Sequence, residues 1–193
     1  MAALNVAVIG LGWWGRIIVP LAKTSHKLRV VRAADPAPAA AAFAAEQRVA
    51  LSRDLDEVLR DPQVQGVVLC TPHSQHTGQI VRAANAGKHV FCEKPLALSR
   101  ADVLKSVAAC NANGVKLAVG HEKRFEPPII ELMRLVSSGE LGTPLQLEAN
   151  FLQDKFLSLP PDNWRLSAKE APAGPMTATG IHLLDLSVGV FGA

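Results

Sequence analysis

The stretch AVIGLGWWGRIIV, Ala7 to Val19, decides the fold of this chain. It places three glycines, Gly10, Gly12 and Gly15, between an apolar run and a segment of helical character. The preceding run, Leu4 to Ile9, is rich in β-branched residues and is typical of a strand buried on both faces. A buried strand, a G-x-G-x-x-G turn and a helix in this order predict a phosphate-binding turn.

Each glycine of the turn has its own physical role. Gly10 permits a tight turn, Gly12 lets the backbone approach a pyrophosphate, and Gly15 lets the helix pack closely on the strand. The helix predicted over 13–24 would offer its free N–H groups and partial positive charge to the phosphates. Trp13 and Trp14 lie inside the motif, and we expect one to pack inward and the other to lie near the cofactor or substrate.

A carboxylate follows at the spacing that a dinucleotide site requires. Asp35 lies 20 residues beyond Gly15, at the end of a second predicted strand over 28–34. There it would accept hydrogen bonds from the adenosine ribose hydroxyls and repel a 2′-phosphate, which favours NAD over NADP. The alternative is a glycine turn with Asp35 as a helix cap before Pro36. The agreement of strand, turn, helix and carboxylate favours the cofactor site.

The rest of residues 1–120 alternates strands and helices. The pattern predicts helices over 38–47, 55–60, 75–86 and 100–113, and strands over 66–70, 89–92 and 115–119. Regular alternation with continuous apolar strands favours a parallel sheet covered by helices on both faces. We therefore predict an α/β, doubly wound, Rossmann-type NAD-binding domain over residues 1–120.

After Gly120 the pattern changes. Residues 121–193 predict a helix over 128–138, a half-exposed strand over 144–152, a proline-rich stretch over 154–175 and a last helix over 178–190. This incomplete α+β second domain is too short to close a core of its own. Its strand and last helix would expose apolar faces unless a partner covers them. We expect a homo-oligomer through the C-terminal region.

Composition disfavours several classes of partner. The formal charge of +3 is spread along the chain without a basic run, which disfavours nucleic acid and anionic membrane as main partners. The longest apolar runs are of strand length and the N-terminus lacks a signal-peptide pattern, so we expect a cytoplasmic protein without a membrane span. Cys70, Cys92 and Cys110 are expected to be reduced and to pack as small hydrophobic residues.

Several short motifs follow the glycine turn in a particular order. They are CTPHSQH (70–76), EKP (93–95), GHEKRF (120–125), NWR (163–165) and GIHLLD (180–185). By these motifs the chain resembles the glucose-fructose oxidoreductase / inositol dehydrogenase / MocA family from residue 4 to the C-terminus. The resemblance implies an NAD-dependent oxidoreductase that transfers a hydride between nicotinamide and the alcohol or carbonyl of a small sugar-like or polyol substrate.

The resemblance also implies roles for particular residues. Thr71, Pro72 and His76 would line the cofactor. Glu93 and Lys94 would flank the nicotinamide, with Lys94 in contact with the reacting hydroxyl. The Lys94–Pro95 bond is often cis in the family, and a cis bond here would aim the lysine into the cleft.

Three further residues are implied on the C-terminal side. Arg124 would shape the cofactor or substrate pocket, Arg165 would bind substrate, and His182 would face Lys94 across the pocket. Lys94 would act as acid and base with His182 as its partner. The alternatives are a Glu93–Lys94 surface pair and a core histidine at position 182. The histidines show no metal-ligand spacing, so no metal site is expected.

One position departs from the family. Many family members carry an aspartate four residues before the histidine matched to His182, whereas this chain has Ala178. Either Thr177 or Thr179 would supply a weaker hydrogen bond, or Lys94 would transfer the proton alone. The departure keeps open a non-catalytic NAD(P)-binding sensor or partner subunit, or an inactive truncated form.

Overall fold

The computed structural model describes residues 2–192, and they divide into two compact units with the boundary between Val119 and Gly120. The first unit is built on one six-stranded sheet. Its strands are β1 (Leu4–Ile9), β2 (Leu28–Ala34), β3 (Ala50–Ser52), β4 (Gly66–Leu69), β5 (His89–Glu93) and β6 (Leu117–Gly120). The helices of this unit are α1 (Trp13–Thr24), α2 (Ala40–Glu46), α3 (Leu55–Arg60), α4 (His76–Asn85) and α5 (Arg100–Ala112).

The strand order confirms the predicted doubly wound sheet. It runs β3-β2-β1-β4-β5-β6, and the pairs β1–β2, β1–β4, β2–β3 and β4–β5 are parallel. The chain therefore reverses its direction of travel across the sheet between β1 and β4. In open α/β sheets of this kind, ligands bind where the carboxyl ends of those two strands meet.

The side chains of β1 show that both faces of the sheet are covered. Val6 and Val8 belong to a buried apolar cluster that includes Val19 of α1. Ala7 and Ile9 point to the other face and belong to a second cluster, which includes Ile80 of α4. Alternate residues of one strand thus enter two different cores, which explains why the strand reads as a continuous apolar run.

Most element bounds agree with the sequence patterns to within a few residues. The predicted strands 4–9 and 28–34 and the predicted helix 13–24 coincide with β1, β2 and α1. The pattern missed β3, which has only three residues and pairs with β2. A segment this short carries too few side chains to show a periodicity.

The second unit is helical. It contains α6 (Pro127–Ser137) and α7 (Ile181–Phe191), short 3₁₀ turns at Glu122–Phe125, Lys155–Ser158 and Trp164–Leu166, and a π-helical turn at Met176–Gly180. The predicted strand over 144–152 is wrong, because this segment has no regular secondary structure. Its alternating pattern remains visible in highly exposed apolar residues such as Leu145 and Leu152. A strand needs a hydrogen-bonded neighbour, and the pattern alone cannot supply one.

A membrane-spanning helix is not found within residues 2–192, where every helix is too short or too polar to cross a bilayer.

We predict that Gly15→Ala destabilises the first unit. A Cβ at this position would lie 1.9 Å from the carbonyl oxygen of Gly10, so the backbone must shift. The expected loss in the free energy of unfolding is at least about 2 kcal/mol, measured by urea denaturation. The matched control is Gly78→Ala in α4, where a Cβ meets nothing within 4 Å and the added methyl should be neutral or stabilising. Equal stability of the two variants would contradict the close approach at Gly15.

Candidate cofactor and substrate site

The three glycines of the first turn differ in the space around them. Gly10 has φ +90°, and a Cβ there would lie 2.9 Å from the carbonyl oxygen of Cys70, at the end of β4. A Cβ on Gly15 would collide with Gly10, whereas a Cβ on Gly12 would meet nothing within 4 Å. The turn is therefore closed at two of its glycines and open at the third. The open space of the turn therefore lies at Gly12.

The N-terminus of α1 is suited to an anion. Gly12 is its N-cap, so no side chain caps the helix, and the first turn contains no acidic residue. The positive end of the helix dipole is thus not neutralised by a carboxylate of its own first turn. These features fit the pyrophosphate of a dinucleotide.

The carboxylate of Asp35 lies against the glycine turn. Its Oδ2 accepts a hydrogen bond from the backbone N–H of Leu11 at 2.6 Å, and its Oδ1 accepts one from Ala37 at 2.8 Å. Each carboxylate oxygen retains a second lone pair for a ribose hydroxyl. The N-cap of α2 is Ala39, so Asp35 does not cap that helix, although its Oδ1 closes a local turn with the N–H of Ala37.

The two tryptophans of the motif are placed differently. Trp13 is exposed and Trp14 is half-buried, with their ring centroids 5.4 Å apart. The buried indole Nε1 of Trp14 has no hydrogen-bond partner among the described residues. Trp14 is therefore the tryptophan that packs inward.

His76, which the resemblance places at the cofactor, is fully buried in the first unit. Its Nδ1 lies 2.9 Å from the carbonyl oxygen of Pro95, and its Nε2 lies 3.0 Å from that of Thr71. The ring therefore joins the chain after β4 to the chain after β5. Thr71 and Pro72 are half-buried, and the Thr71 hydroxyl donates to Gln79 Oε1 at 2.6 Å.

The EKP motif lies at the end of β5. Glu93 is buried and Lys94 is half-buried, so the alternative of a simple surface pair is wrong for Glu93. The Lys94–Pro95 bond is cis, as the resemblance implies. Burial, together with the negative charge of Glu93, raises the pKa of the Cys92 thiol well above its ordinary value. This neighbouring cysteine therefore stays protonated.

In the second unit an ion pair joins the GHEKRF and GIHLLD motifs. Arg124 Nε donates to Asp185 Oδ2 at 2.6 Å, and its Nη2 donates to Oδ1 at 2.7 Å. Burial of Asp185 opposes its ionisation. The hydrogen bonds from Arg124 and the nearby His121 nevertheless hold its pKa below the ordinary value. The pair fixes the 3₁₀ turn against α7.

His182 lies beside this pair. It follows the π-helical turn, is only 7% exposed, and has its Nε2 3.8 Å from Glu122 Oε1. The His121 ring stands edge-on to it, with the centroids 6.1 Å apart and the planes at 88°. Sequence reasoning named His182 and Arg124 but missed Glu122, His121 and Asp185. All three lie inside the quoted motifs, but no sequence pattern shows how the two motifs pack against each other.

A cavity of about 200 Å³ opens at His182. Its lining is formed by Lys123, Arg124, Glu126, Ile129, Phe151, His182, Leu183, Asp185 and Leu186. Arg165 is not among these residues; it stacks on Trp164, with its guanidinium carbon 4.2 Å from the ring centroid. Desolvation lowers the pKa of Arg165 from its ordinary value. Within residues 2–192, no group of three or more His, Cys, Asp or Glu residues is arranged to hold a metal ion.

The family models match both units. Residues 4–121 match the model described as an oxidoreductase family with an NAD-binding Rossmann fold, and residues 129–193 match a GFO/IDH/MocA C-terminal domain. The chain belongs to the Gfo/Idh/MocA oxidoreductase family. The predicted family and fold are thus confirmed.

Individual relatives agree with this family. The uncharacterized oxidoreductase YrbE of Bacillus subtilis is 31% identical over 74% of this chain and 40% of its own length. Inositol 2-dehydrogenase of Rhizobium meliloti is 28% identical over 96% of this chain and 61% of its own length. A crystal structure from Desulfitobacterium hafniense, provisionally assigned as an NADPH-dependent oxidoreductase, superposes with a TM-score of 0.92 at 27% identity. That match covers all of this chain and 56% of the other. The chain thus spans between two fifths and two thirds of the length of these Gfo/Idh/MocA proteins.

We predict that Asp185→Asn lowers stability at pH 7 but not in acid. Because the folded pKa of Asp185 lies below its ordinary value of about 3.9, its ionised form stabilises the fold above that pH. This contribution is lost as the pH falls through the folded pKa. Since Arg124 is half-exposed, the expected loss at pH 7 is only about 1 kcal/mol, measured by urea unfolding at pH 7 and pH 3. Asp162→Asn, at an exposed position of the same unit, is the control. If the parent protein and Asp185→Asn differed in free energy of unfolding by the same amount at pH 3 as at pH 7, the ionised Asp185 would not be the source of the stabilisation.

Proposed function

We propose that this protein transfers a hydride between NAD and the alcohol or carbonyl group of a small sugar-like or polyol substrate. The observation that carries the proposal is the glycine turn, which is open at Gly12 and has the carboxylate of Asp35 held against it. Family membership supports the same reaction class, because the matching model is an NAD-binding oxidoreductase family.

The first unit would hold the cofactor. In the proposed complex, the N–H groups at the start of α1 bind the pyrophosphate and Asp35 binds the ribose hydroxyls. Thr71, Pro72 and Glu93 are the further proposed cofactor contacts, with Trp13 at the exposed side of the turn. When bound, the nicotinamide ring supplies the group that accepts or returns the hydride.

Lys94 would exchange the proton. In the oxidation direction its Nζ takes the proton from the substrate hydroxyl, and in the reduction direction it returns that proton to the carbonyl oxygen. The backbone beside Lys94 is held in place, because the Pro95 carbonyl bonds to the buried ring of His76. His182 is the proposed partner of Lys94 in handling the proton, and Arg165 a proposed substrate contact. That His182 faces Lys94 stays a prediction.

The cavity in the second unit supports a neutral, hydroxylated substrate. In the lining of this cavity, Lys123 pairs with Glu126 and Arg124 pairs with Asp185. The charges of these four side chains therefore neutralise each other. The other wall is apolar and includes Phe151. A sugar-like or cyclic polyol ring presents C–H groups to an aromatic face and hydroxyls to an imidazole, which suits both surfaces. An anionic substrate would have to break an existing pair first.

A non-catalytic cofactor-binding role is the second candidate. Ala178 favours it, because a methyl group cannot orient or stabilise an imidazole as a carboxylate does. A panel of inositols and sugars with NAD distinguishes the two, since only the enzyme produces NADH. The expected homo-oligomer through residues 121–193 and the cytoplasmic location stay predictions.

We predict that NADH binds at least about tenfold more tightly than NADPH, because the Asp35 carboxylate repels a 2′-phosphate. Asp35→Asn removes this charge while keeping an acceptor oxygen, so it should weaken NADH binding and narrow the preference. Quenching of tryptophan fluorescence and calorimetry measure both dissociation constants. Glu46→Gln, on the exposed side of α2, is the control and should change neither. An unchanged preference in Asp35→Asn would refute the assigned role.

We predict that Lys94→Ala binds NADH as the parent protein does but loses turnover by at least about a hundredfold. The reason is that the substrate hydroxyl loses its proton acceptor while the glycine turn is unaltered. Lys105→Ala, at an exposed position of α5, is the control with full activity. Turnover is followed as NADH absorbance with the best substrate from the panel. Undiminished turnover by Lys94→Ala would remove this residue from the mechanism.

A further inference from the structure

His182 is a nearly buried imidazole without the carboxylate that the family resemblance places on its own helix. Position 178, one helical turn earlier, carries an alanine. The flanking threonines offer only neutral hydroxyls, which carry no compensating charge: Thr177 Oγ1 accepts from the N–H of Ala173, and Thr179 Oγ1 accepts from Gln153 Nε2. An imidazole that changes its protonation state inside a protein needs a compensating charge nearby. The structure offers one from a different element.

That charge is the carboxylate of Glu122, in the 3₁₀ turn Glu122–Phe125. Its Oε1 lies 3.8 Å from His182 Nε2, which is within ion-pair distance. Its other oxygen, Oε2, is buried and has no hydrogen-bond partner among the described residues. Although the side chain as a whole is 41% exposed, this oxygen is shielded from solvent. The carboxylate is therefore available to the imidazole.

Other charged groups also surround His182, and the charge of Asp185 interacts with this imidazole as well as with Arg124. Asp185, on the same helix, receives two hydrogen bonds from Arg124 and lies 3.8 Å from the Nδ1 of His121. Lys123, in the adjacent turn, pairs with Glu126. The segment before the proline-rich stretch contributes the Phe151 ring, which is uncharged and lies 6.0 Å from the imidazole centroid. Glu122 places a carboxylate oxygen at ion-pair distance from His182 Nε2, in addition to the interaction of Asp185 with the same imidazole.

We propose that Glu122 is the positioning residue of His182 and takes the place of the family aspartate that Ala178 lacks. Its negative charge favours the protonated imidazole and attracts the Nε2 edge of the ring. This inference rests on the proposed function, in which His182 shares the proton of the substrate hydroxyl with Lys94. Glu122 itself acts through His182 and does not touch the reacting atoms.

The test compares Glu122→Gln with Glu122→Asp in the full chain. Glu122→Gln keeps the shape but loses the charge, so kcat should fall by about tenfold while KM changes little. Without the carboxylate the imidazole loses its proton more readily, so the acidic limb of the pH–rate profile for oxidation should move to lower pH, by about half a unit or more. Glu122→Asp keeps the negative charge, so it should restore part of kcat and move the acidic limb part of the way back to its parental position.

A second-site variant makes the test sharper. Glu122→Gln combined with Ala178→Asp puts a carboxylate back one helical turn before His182, and should regain activity and restore the pH profile. Glu131→Gln, in a surface pair on α6, is the matched control and should leave both unchanged. Thermal unfolding of each variant shows whether it is folded. A folded Glu122→Gln variant with an unshifted pH profile overturns the proposal.

An NMR measurement separates this inference from the proposed function. The side-chain signals of His182, assigned by their loss in His182→Asn, are titrated in the parent protein and in Glu122→Gln without any substrate. A midpoint that moves to lower pH in Glu122→Gln supports the pairing, and an unmoved midpoint refutes it. Absence of turnover by the parent protein on every polyol and sugar would instead count against the proposed function and leave the NMR result standing.

Discussion

The close approach of Gly15 to Gly10 is the constraint on which the cofactor site depends. A single methyl group at Gly15 would lie 1.9 Å from the Gly10 carbonyl oxygen, so α1 can begin this close to the end of β1 only without a side chain there. The same approach leaves the open face of the turn at Gly12 and brings Leu11 N–H to the carboxylate of Asp35. Phosphate binding and ribose binding in the proposed complex therefore follow from one contact between two backbones.

A second constraint acts on the chain that follows β4 and β5. The His76 imidazole is fully buried, and each of its nitrogens lies within 3.0 Å of a carbonyl oxygen, one on Thr71 and one on Pro95. The chain after β4 and the chain after β5 are thereby held at a separation set by the width of the His76 imidazole ring. Lys94 directly precedes Pro95, so the backbone beside the proposed acid–base residue is held by the buried ring of His76.

The sequence predicted those features that depend on local patterns. β1 and α1 were predictable because a buried strand, three glycines and a helix lie within about 20 residues, where spacing determines geometry. The strand over 144–152 was predicted wrongly, because alternation of apolar and polar residues reports exposure but not the neighbour that a strand requires. The motif at 70–76 places His76 near the end of β4 but carries no information on the direction in which its buried ring points. Glu122 was missed for a related reason. It lies 60 residues before His182, and only the packing of a 3₁₀ turn on α7 brings the two together.

The distance between Glu122 and His182 has a consequence for the second unit. A carboxylate at position 178 would be held beside His182 by the spacing of one helix, since residues four apart share a face. A carboxylate at position 122 lies on a different element, so its distance from His182 depends on how firmly the 3₁₀ turn is held against α7. The two hydrogen bonds from Arg124 to Asp185 join those same two elements, two residues after Glu122 and three after His182. The ion pair thus does through tertiary structure what helical spacing does within a helix. Its main value lies in fixing the imidazole and the carboxylate relative to each other, because a partly exposed pair contributes little stability by itself.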